Sequence, residues 1–281
     1  YIFLGGEAKF DLQPDFVYWG RGLSDAPETL IGGHDINGDG RADLAIGSWR
    51  RDVDGRNDTG SVTLVTGRTD PNPGQITVIC EPAYEYYGTT PGAHLGYSLT
   101  FIDDLNADGC DEVAVGARAD AADGFPYAGS VHIIYGFGSD PCPAGPEVTK
   151  IAAPTAWMQI GTSLAAGDLD NDGLAELAIG APFARFDNQT TGGVFIVSGT
   201  FLVSLERQAP NNARSEWPEP GPLNRFIPGL LEGSETGRGL FIADSIVGVG
   251  TSKDFIFERA PVASFRIYRF DPDGELNPQP R

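Results

Sequence analysis

The sequence predicts an all-β fold, a β-propeller of four-stranded antiparallel blades. Three observations point there: an acidic loop that recurs about every 65 residues, short apolar runs closed by tight turns, and little helical periodicity. Glycine (38 residues) and proline (21) punctuate these runs, which favours strands and turns over helices. The loops begin at Asp35, Asp104 and Asp168 and end at Asp43, Glu112 and Glu176, and each runs into an apolar segment, Leu44 to Gly47, Val113 to Gly116 and Leu177 to Gly180.

Each repeat reads as strands A to D. Gly96-Tyr-Ser-Leu and Gly161-Thr-Ser-Leu lead into strand A, which ends at the first aspartate of a loop, and the apolar segment after the loop is strand B. Gly60 to Gly67, Gly129 to Gly136 and Gly193 to Gly199 supply strand C, and strand D is expected at Gln75 to Ile79 and Glu147 to Ile151. The whole chain, 1–281, reads as one propeller domain with repeats at about 13–80, 81–151, 152–225 and 226–281. Residues 200–225, rich in Pro, Asn and Glu, read as an exposed insertion without an element of its own.

The fourth repeat is degenerate. Gly237 to Asp244 repeats the turn and strand A, strand B is expected to begin at Asp254, and Ser264 to Phe270 reads as strand C. The intervening Ser245 to Lys253 carries no carboxylate, so this blade is expected to bind no metal. Residues 1–12 read as strands of a preceding or ring-closing blade, which leaves two expectations: a ring closed by about four blades, or part of a larger one. The start at Tyr1, without methionine, suggests that a leader or a longer N-terminal part has been removed.

In each loop oxygen-bearing side chains fall at positions 1, 3, 5 and 9, glycine stands at position 6, and position 7 offers its carbonyl. The expected ligands are Asp35, Asn37, Asp39, the Arg41 carbonyl and Asp43; Asp104, Asn106, Asp108, the Cys110 carbonyl and Glu112; and Asp168, Asp170, Asp172, the Leu174 carbonyl and Glu176. An all-oxygen set suits Ca²⁺, whereas zinc prefers His or Cys and Mg²⁺ a tighter octahedron, so three Ca²⁺ sites are expected. Asp, Asn and Gly are also ordinary turn formers, but three matching copies argue against turns alone. An EF-hand opens with the same pattern yet needs a carboxylate at position 12, where these loops have Ile46, Val115 and Ile179.

These residues resemble the FG-GAP repeats of integrin α subunits. The third copy is the nearest, with Gly161-Thr-Ser-Leu, the loop from Asp168 to Glu176, and Gly180-Ala-Pro182 matching the "GAP" element; Leu95 and Ile160 stand where the "FG" phenylalanine would be. The resemblance implies a calcium-binding propeller, secreted or at the cell surface, that serves adhesion, ligand binding or surface assembly. An accessory propeller of a secreted enzyme and a lectin are the alternatives.

Strand alternation puts A-to-B and C-to-D connections on one face and B-to-C and D-to-A connections on the other. A structural role for calcium and an opposite ligand face, for protein or glycan, follow as expectations. Aromatic residues expected in D-to-A segments, Trp19, Tyr84, Tyr86, Tyr87 and Trp157, are candidate ligand contacts, with packing between blades as the competing reading. Asn57-Asp-Thr59 and Asn188-Gln-Thr190 are N-glycosylation sequons in B-to-C turns. Cys110 and Cys142 share the calcium face of one blade and are the expected disulfide in an oxidising compartment, leaving Cys80 as a small buried hydrophobe.

The net charge of −20 disfavours nucleic acid and anionic lipid as partners, and no segment is apolar and long enough to span a bilayer. No nucleophile-elbow, zinc-protease or phosphate-loop motif occurs. His34, His94 and His132 stand at repeat turns or in strand C, which suits structural roles better than a catalytic set, so the chain is expected to be non-enzymatic.

Overall fold

The computed structural model describes residues 16–18, 26–67, 77–79, 82–138, 142–208, 213–214, 224–230, 232–254, 262–270 and 276–277. The expected strands at 1–12, and Trp19 and Cys80, lie outside these described residues.

The first repeat contains β1 (Phe16–Tyr18), β2 (Thr29–His34), β3 (Asp43–Ser48), β4 (Ser61–Val65), β5 (Thr77–Ile79) and β6 (Tyr84–Tyr87). The second contains β7 (Leu95–Ile102), β8 (Glu112–Ala117), β9 (Ser130–Ile134) and β10 (Val148–Ala152). The third contains β11 (Leu164–Gly167), β12 (Glu176–Ala181), β13 (Arg185–Phe186), β14 (Gln189–Thr190), β15 (Gly193–Val197), α1 (Gly199–Gln208), β16 (Ala213–Arg214) and β17 (Arg225–Pro228). The last contains β18 (Gly239–Ala243), β19 (Ile246–Asp254), β20 (Val262–Phe270) and β21 (Leu276–Asn277). Four antiparallel sheets result, ordered β2-β3-β4-β6, β7-β8-β9-β10, β11-β12-β15-β17 and β18-β19-β20-β21, with β16 added in parallel beside β10. These are propeller blades.

The second strand of a blade is buried on both sides, so it reads as a continuous apolar run instead of an alternating one. In β8, Val113 and Val115 face the first sheet, packing with Ala45, Val62 and Leu64. Ala114 between them faces the third sheet, packing with Leu177 and Ile179. On β12 the alternation repeats, since Ala178 turns to the fourth sheet with Val247 and Val249. Each core is therefore shared by two neighbouring sheets.

Glycines set how closely those sheets approach. A Cβ on Gly116, in β8, would overlap the Gly161 carbonyl at the head of the third blade, and Gly47 meets Gly96, and Gly180 meets Gly237, in the same way. A hydroxyl beside each contact caps the same carbonyl. Thr29 Oγ1 donates to Gly96 O at 2.5 Å, and Ser98 Oγ to Gly161 O and Ser163 Oγ to Gly237 O at 2.8 Å each. The Gly-x-Ser-Leu turn of the sequence is thus the place where one blade receives the next.

The structure corrects several expectations. Strand D of the first blade is β6, at Tyr84–Tyr87, while Thr77–Ile79 pairs in parallel with Phe16–Tyr18 in a separate ribbon. The region 200–225 contains α1, capped by Ser198 Oγ accepting from Phe201 N at 3.3 Å and buried through Leu202 and Leu205. β17 completes the third sheet, so the third blade extends to Pro228. In the fourth sheet Ser245 to Lys253 does not stand in for an acidic loop: Asp244 and Ser245 form a tight turn and β19 follows directly.

Gly116→Ala is expected to lower the unfolding free energy by about 3 kcal/mol in urea denaturation, because the overlap is with backbone that cannot rotate away. Ser98→Ala, which leaves the Gly161 carbonyl without its hydroxyl donor, should cost about 1–3 kcal/mol.

Candidate metal centres in the strand-linking loops

The three acidic loops join the first and second strands of the first three blades and fold alike. In the first, Asp35 accepts the amides of Asp39 (3.1 Å) and Gly40 (2.6 Å), Asn37 Oδ1 accepts Asp39 N (3.2 Å), and Asp39 Oδ1 accepts Arg41 N (2.9 Å). Asp104, Asn106 and Asp108 make the same bonds to the amides of Asp108, Gly109 and Cys110. So do Asp168, Asp170 and Asp172 with those of Asp172, Gly173 and Leu174. The glycine at position 6 has φ of 80°, 90° and 92° in Gly40, Gly109 and Gly173, a left-handed conformation that other residues rarely adopt.

Position 9 closes each loop from below. Asp43 Oδ2 accepts Ile36 N at 2.9 Å, Glu112 Oε2 accepts Leu105 N at 2.7 Å and Glu176 Oε2 accepts Leu169 N at 2.9 Å. The other oxygen of Asp43 takes Gly67 N (2.6 Å) and that of Glu176 takes Gly199 N (3.0 Å), tying the loop to the end of the third strand. Glu112 Oε1 is buried and has no hydrogen bond of good geometry among the described residues, although the nearby Gly136 amide weakly favours its charge. In the third loop oxygen atoms of Asp168, Asp170 and Glu176 lie within 4.8 Å of one another.

Such crowding of carboxylates calls for a counter-charge. Burial, with smaller contributions from Asp108 and Asp104, pushes Glu112 up to about 9, and burial first also raises Glu176 to about 7 and Asp43 to about 6. A bound divalent cation acts in the opposite sense and favours the charged carboxylates. The donors are oxygens only and lie on rigid turns, and one buried oxygen has no protein partner, so the residues present fit a hard cation such as Ca²⁺.

Two features of this face were not foreseen from sequence. Asp111, at position 8 of the second loop, accepts Asp35 N on Oδ2 (2.9 Å) and Asp104 N on Oδ1 (3.0 Å), linking the first residues of two loops. His34 Nδ1 lies 3.2 Å from Asp111 Oδ2 and 3.5 Å from Asp103 Oδ1. The Cys110–Cys142 disulfide is present, with Cα atoms 5.9 Å apart, and its sulfurs pack against Gly38 of the first loop. Only the identity of position 8 marked Asp111, and nothing in the repeat pattern distinguishes it.

The aromatic candidates separate into two groups. Tyr84, Tyr86 and Tyr87 lie half-buried in β6, where Tyr84 packs edge-on against Phe137, Tyr87 donates to Glu85 at 2.7 Å, and Tyr86 meets His132. Trp157 is 59% exposed and stacks on Tyr127. Asn57 and Asn188 are exposed in turns, as a glycan acceptor requires.

His132 belongs to a buried polar chain between the first two blades. Burial pushes it down to about 3, so the ring is neutral. Ser130 donates to Asp120 at 2.7 Å and therefore accepts from His132 Nε2 at 3.1 Å, which leaves Nδ1 to accept from Tyr86 at 3.0 Å. Burial would raise Asp120, but the Lys150 ammonium at 2.6 Å and the Ser130 hydroxyl hold it below the usual carboxylate range. With the Ser130 proton directed at Asp120 and all three side chains buried, this Ser-His-Asp set is a packing network.

Sheets stacked through shared cores, with an acidic loop between the first two strands, define a repeat-built β-propeller protein. The FG-GAP repeat profile matches residues 26–65, 95–134 and 160–197, so three segments of the chain are FG-GAP repeats. It is 31% identical over 151 residues to phosphatidylinositol-glycan-specific phospholipase D of Rattus norvegicus, covering 53% of this chain and 18% of that protein. It is 29% identical over 188 residues to integrin alpha-PS5 of Drosophila melanogaster (66% and 18%) and 31% over 186 residues to integrin alpha ina-1 of Caenorhabditis elegans (60% and 16%). The chain thus spans under a fifth of the length of these relatives.

With its folded-state pKa depressed, His132 binds its proton more readily in the unfolded chain. Its contribution to stability is therefore complete above about pH 6.5 and is lost as pH falls towards 3. Urea unfolding at pH 7 and pH 5 in saturating calcium should show a smaller acid loss for His132→Gln than for the wild type.

Proposed function

We propose that this chain is a non-catalytic, extracellular or cell-surface FG-GAP propeller that serves adhesion, ligand binding or surface assembly, with one structural Ca²⁺ in each of its three acidic loops. The observation that carries the reading is the threefold recurrence of one oxygen cradle, down to the position-9 carboxylate that accepts the amide at position 2. The ligands are Asp35, Asn37, Asp39, Asp43 and the Arg41 carbonyl; Asp104, Asn106, Asp108, Glu112 and the Cys110 carbonyl; and Asp168, Asp170, Asp172, Glu176 and the Leu174 carbonyl. Calcium draws clustered carboxylates together and fixes the turn between two strands, while protein or glycan ligands meet the opposite face. An N-glycan on Asn57, which this reading allows, would stand on that same face.

An accessory propeller of a larger enzyme is the second reading. It is favoured by the phospholipase D match, which covers only 18% of that relative.

Calcium titration of chelated protein by calorimetry should give three binding equivalents, and Asp108→Ala should give two. At calcium 100-fold above Kd each site adds about 2.7 kcal/mol, so chelation should lower Tm by many degrees. Chelated protein that takes up no calcium and keeps its Tm on calcium addition would rule the reading out.

A further inference from the structure

A groove of about 980 Å³ opens on the face opposite the acidic loops, within the third blade. One wall is the segment entering that blade, Thr155 to Gln159, and the other is the β13–β14 hairpin with Arg185, Asp187 and Asn188. Its size is at the upper end of the roughly 300–1,000 Å³ of small-molecule sites. We infer that this groove binds a neutral saccharide, one ring of which stacks on Trp157. The inference rests on the reading of this face as the ligand face and names the ligand class.

Three features support it. Trp157 and Tyr127 stack with ring centroids 5.0 Å apart and an interplanar angle of 20°, yet they are 59% and 48% exposed. Packing accounts for Tyr84, Tyr86 and Tyr87, which have buried partners, but it does not account for a solvent-facing aromatic pair. The two segments that carry the rings are tied together by backbone bonds, Trp157 N donating to Pro126 O at 3.0 Å and Gln159 N to Tyr127 O at 3.2 Å. Finally, Gln159 lines the groove and its sheltered Oε1 has no hydrogen-bond partner among the described residues; a small rotation would offer it to a ligand hydroxyl.

The ligand class follows from the walls. A pyranose presents polarised C–H groups on one face, which suit the negative face of an indole, while its rim hydroxyls both donate and accept. Asn188, Thr190, Asp187 and Arg185 supply both kinds of partner on the opposite wall. A polyanion would meet one arginine beside Asp187 on a chain of net charge −20. A lipid tail would strand the polar wall, and strands of two residues give an added peptide strand too short an edge.

The test uses full-length protein from a bacterial host, so that no glycan on Asn188 competes for the groove. It is screened with calcium on an array of neutral oligosaccharides, and hits are titrated by tryptophan fluorescence and saturation-transfer NMR. A hit should quench or shift the Trp157 emission and bind at least roughly tenfold more weakly to Trp157→Ala, with Tm unchanged for a side chain so exposed. If Trp157→Ala lowers Tm, Asn188→Ala on the far wall must still weaken the same saccharide several-fold. No binder on the array and none in millimolar NMR titrations, or hits indifferent to both variants, overturns the inference. Protein that takes three calcium ions but no saccharide loses this inference alone.

Discussion

Backbone-to-backbone contact at glycine sets the distance between blades. Gly47 with Gly96, Gly116 with Gly161 and Gly180 with Gly237 bring the second strand of one blade against the entry of the next, where no Cβ could fit. From that spacing follows the character of the second strands, which are buried on both sides and shared between two cores. The serine or threonine that donates to each of those carbonyls makes the contact specific in register as well as in distance.

With neighbouring sheets locked at this end, the opposite end carries the acidic loops, and these are also coupled. Asp111 holds the amides of both Asp35 and Asp104, the disulfide of the second blade packs on Gly38 of the first loop, and Phe137 N donates to Ile36 O at 2.9 Å. A cation in one loop would therefore bear on the packing of two blades. That arrangement suits a structural metal.

Much of this was legible because repetition filters out chance. The loops and the second and third strands could be aligned across three copies and the Gly-x-Ser turn across two, and the Cys110–Cys142 pairing followed from the face that both residues share. What was missed lacks a repeated signature. Tyr84–Tyr87 alternates no apolar and polar residues, so its strand was read as a loop, whereas Thr77–Ile79 looks like a strand and is one, paired elsewhere. The helix after Ser198 was hidden by the Pro- and Asn-rich residues that follow it, although Leu202 and Leu205 have helical spacing. In the fourth blade only the second strand was misplaced: its start was read at Asp254, where it ends, because a two-residue turn replaces the loop. Asp111 could not be singled out, since its role lies between two loops.

The most direct measurement is a crystal structure grown in millimolar calcium, with diffraction collected at a wavelength where calcium scatters anomalously. The account predicts one anomalous peak in each of the loops 35–43, 104–112 and 168–176, ringed by six to eight oxygens at about 2.3–2.6 Å. Loops holding only water under those conditions, or a peak ligated by other residues, would contradict it.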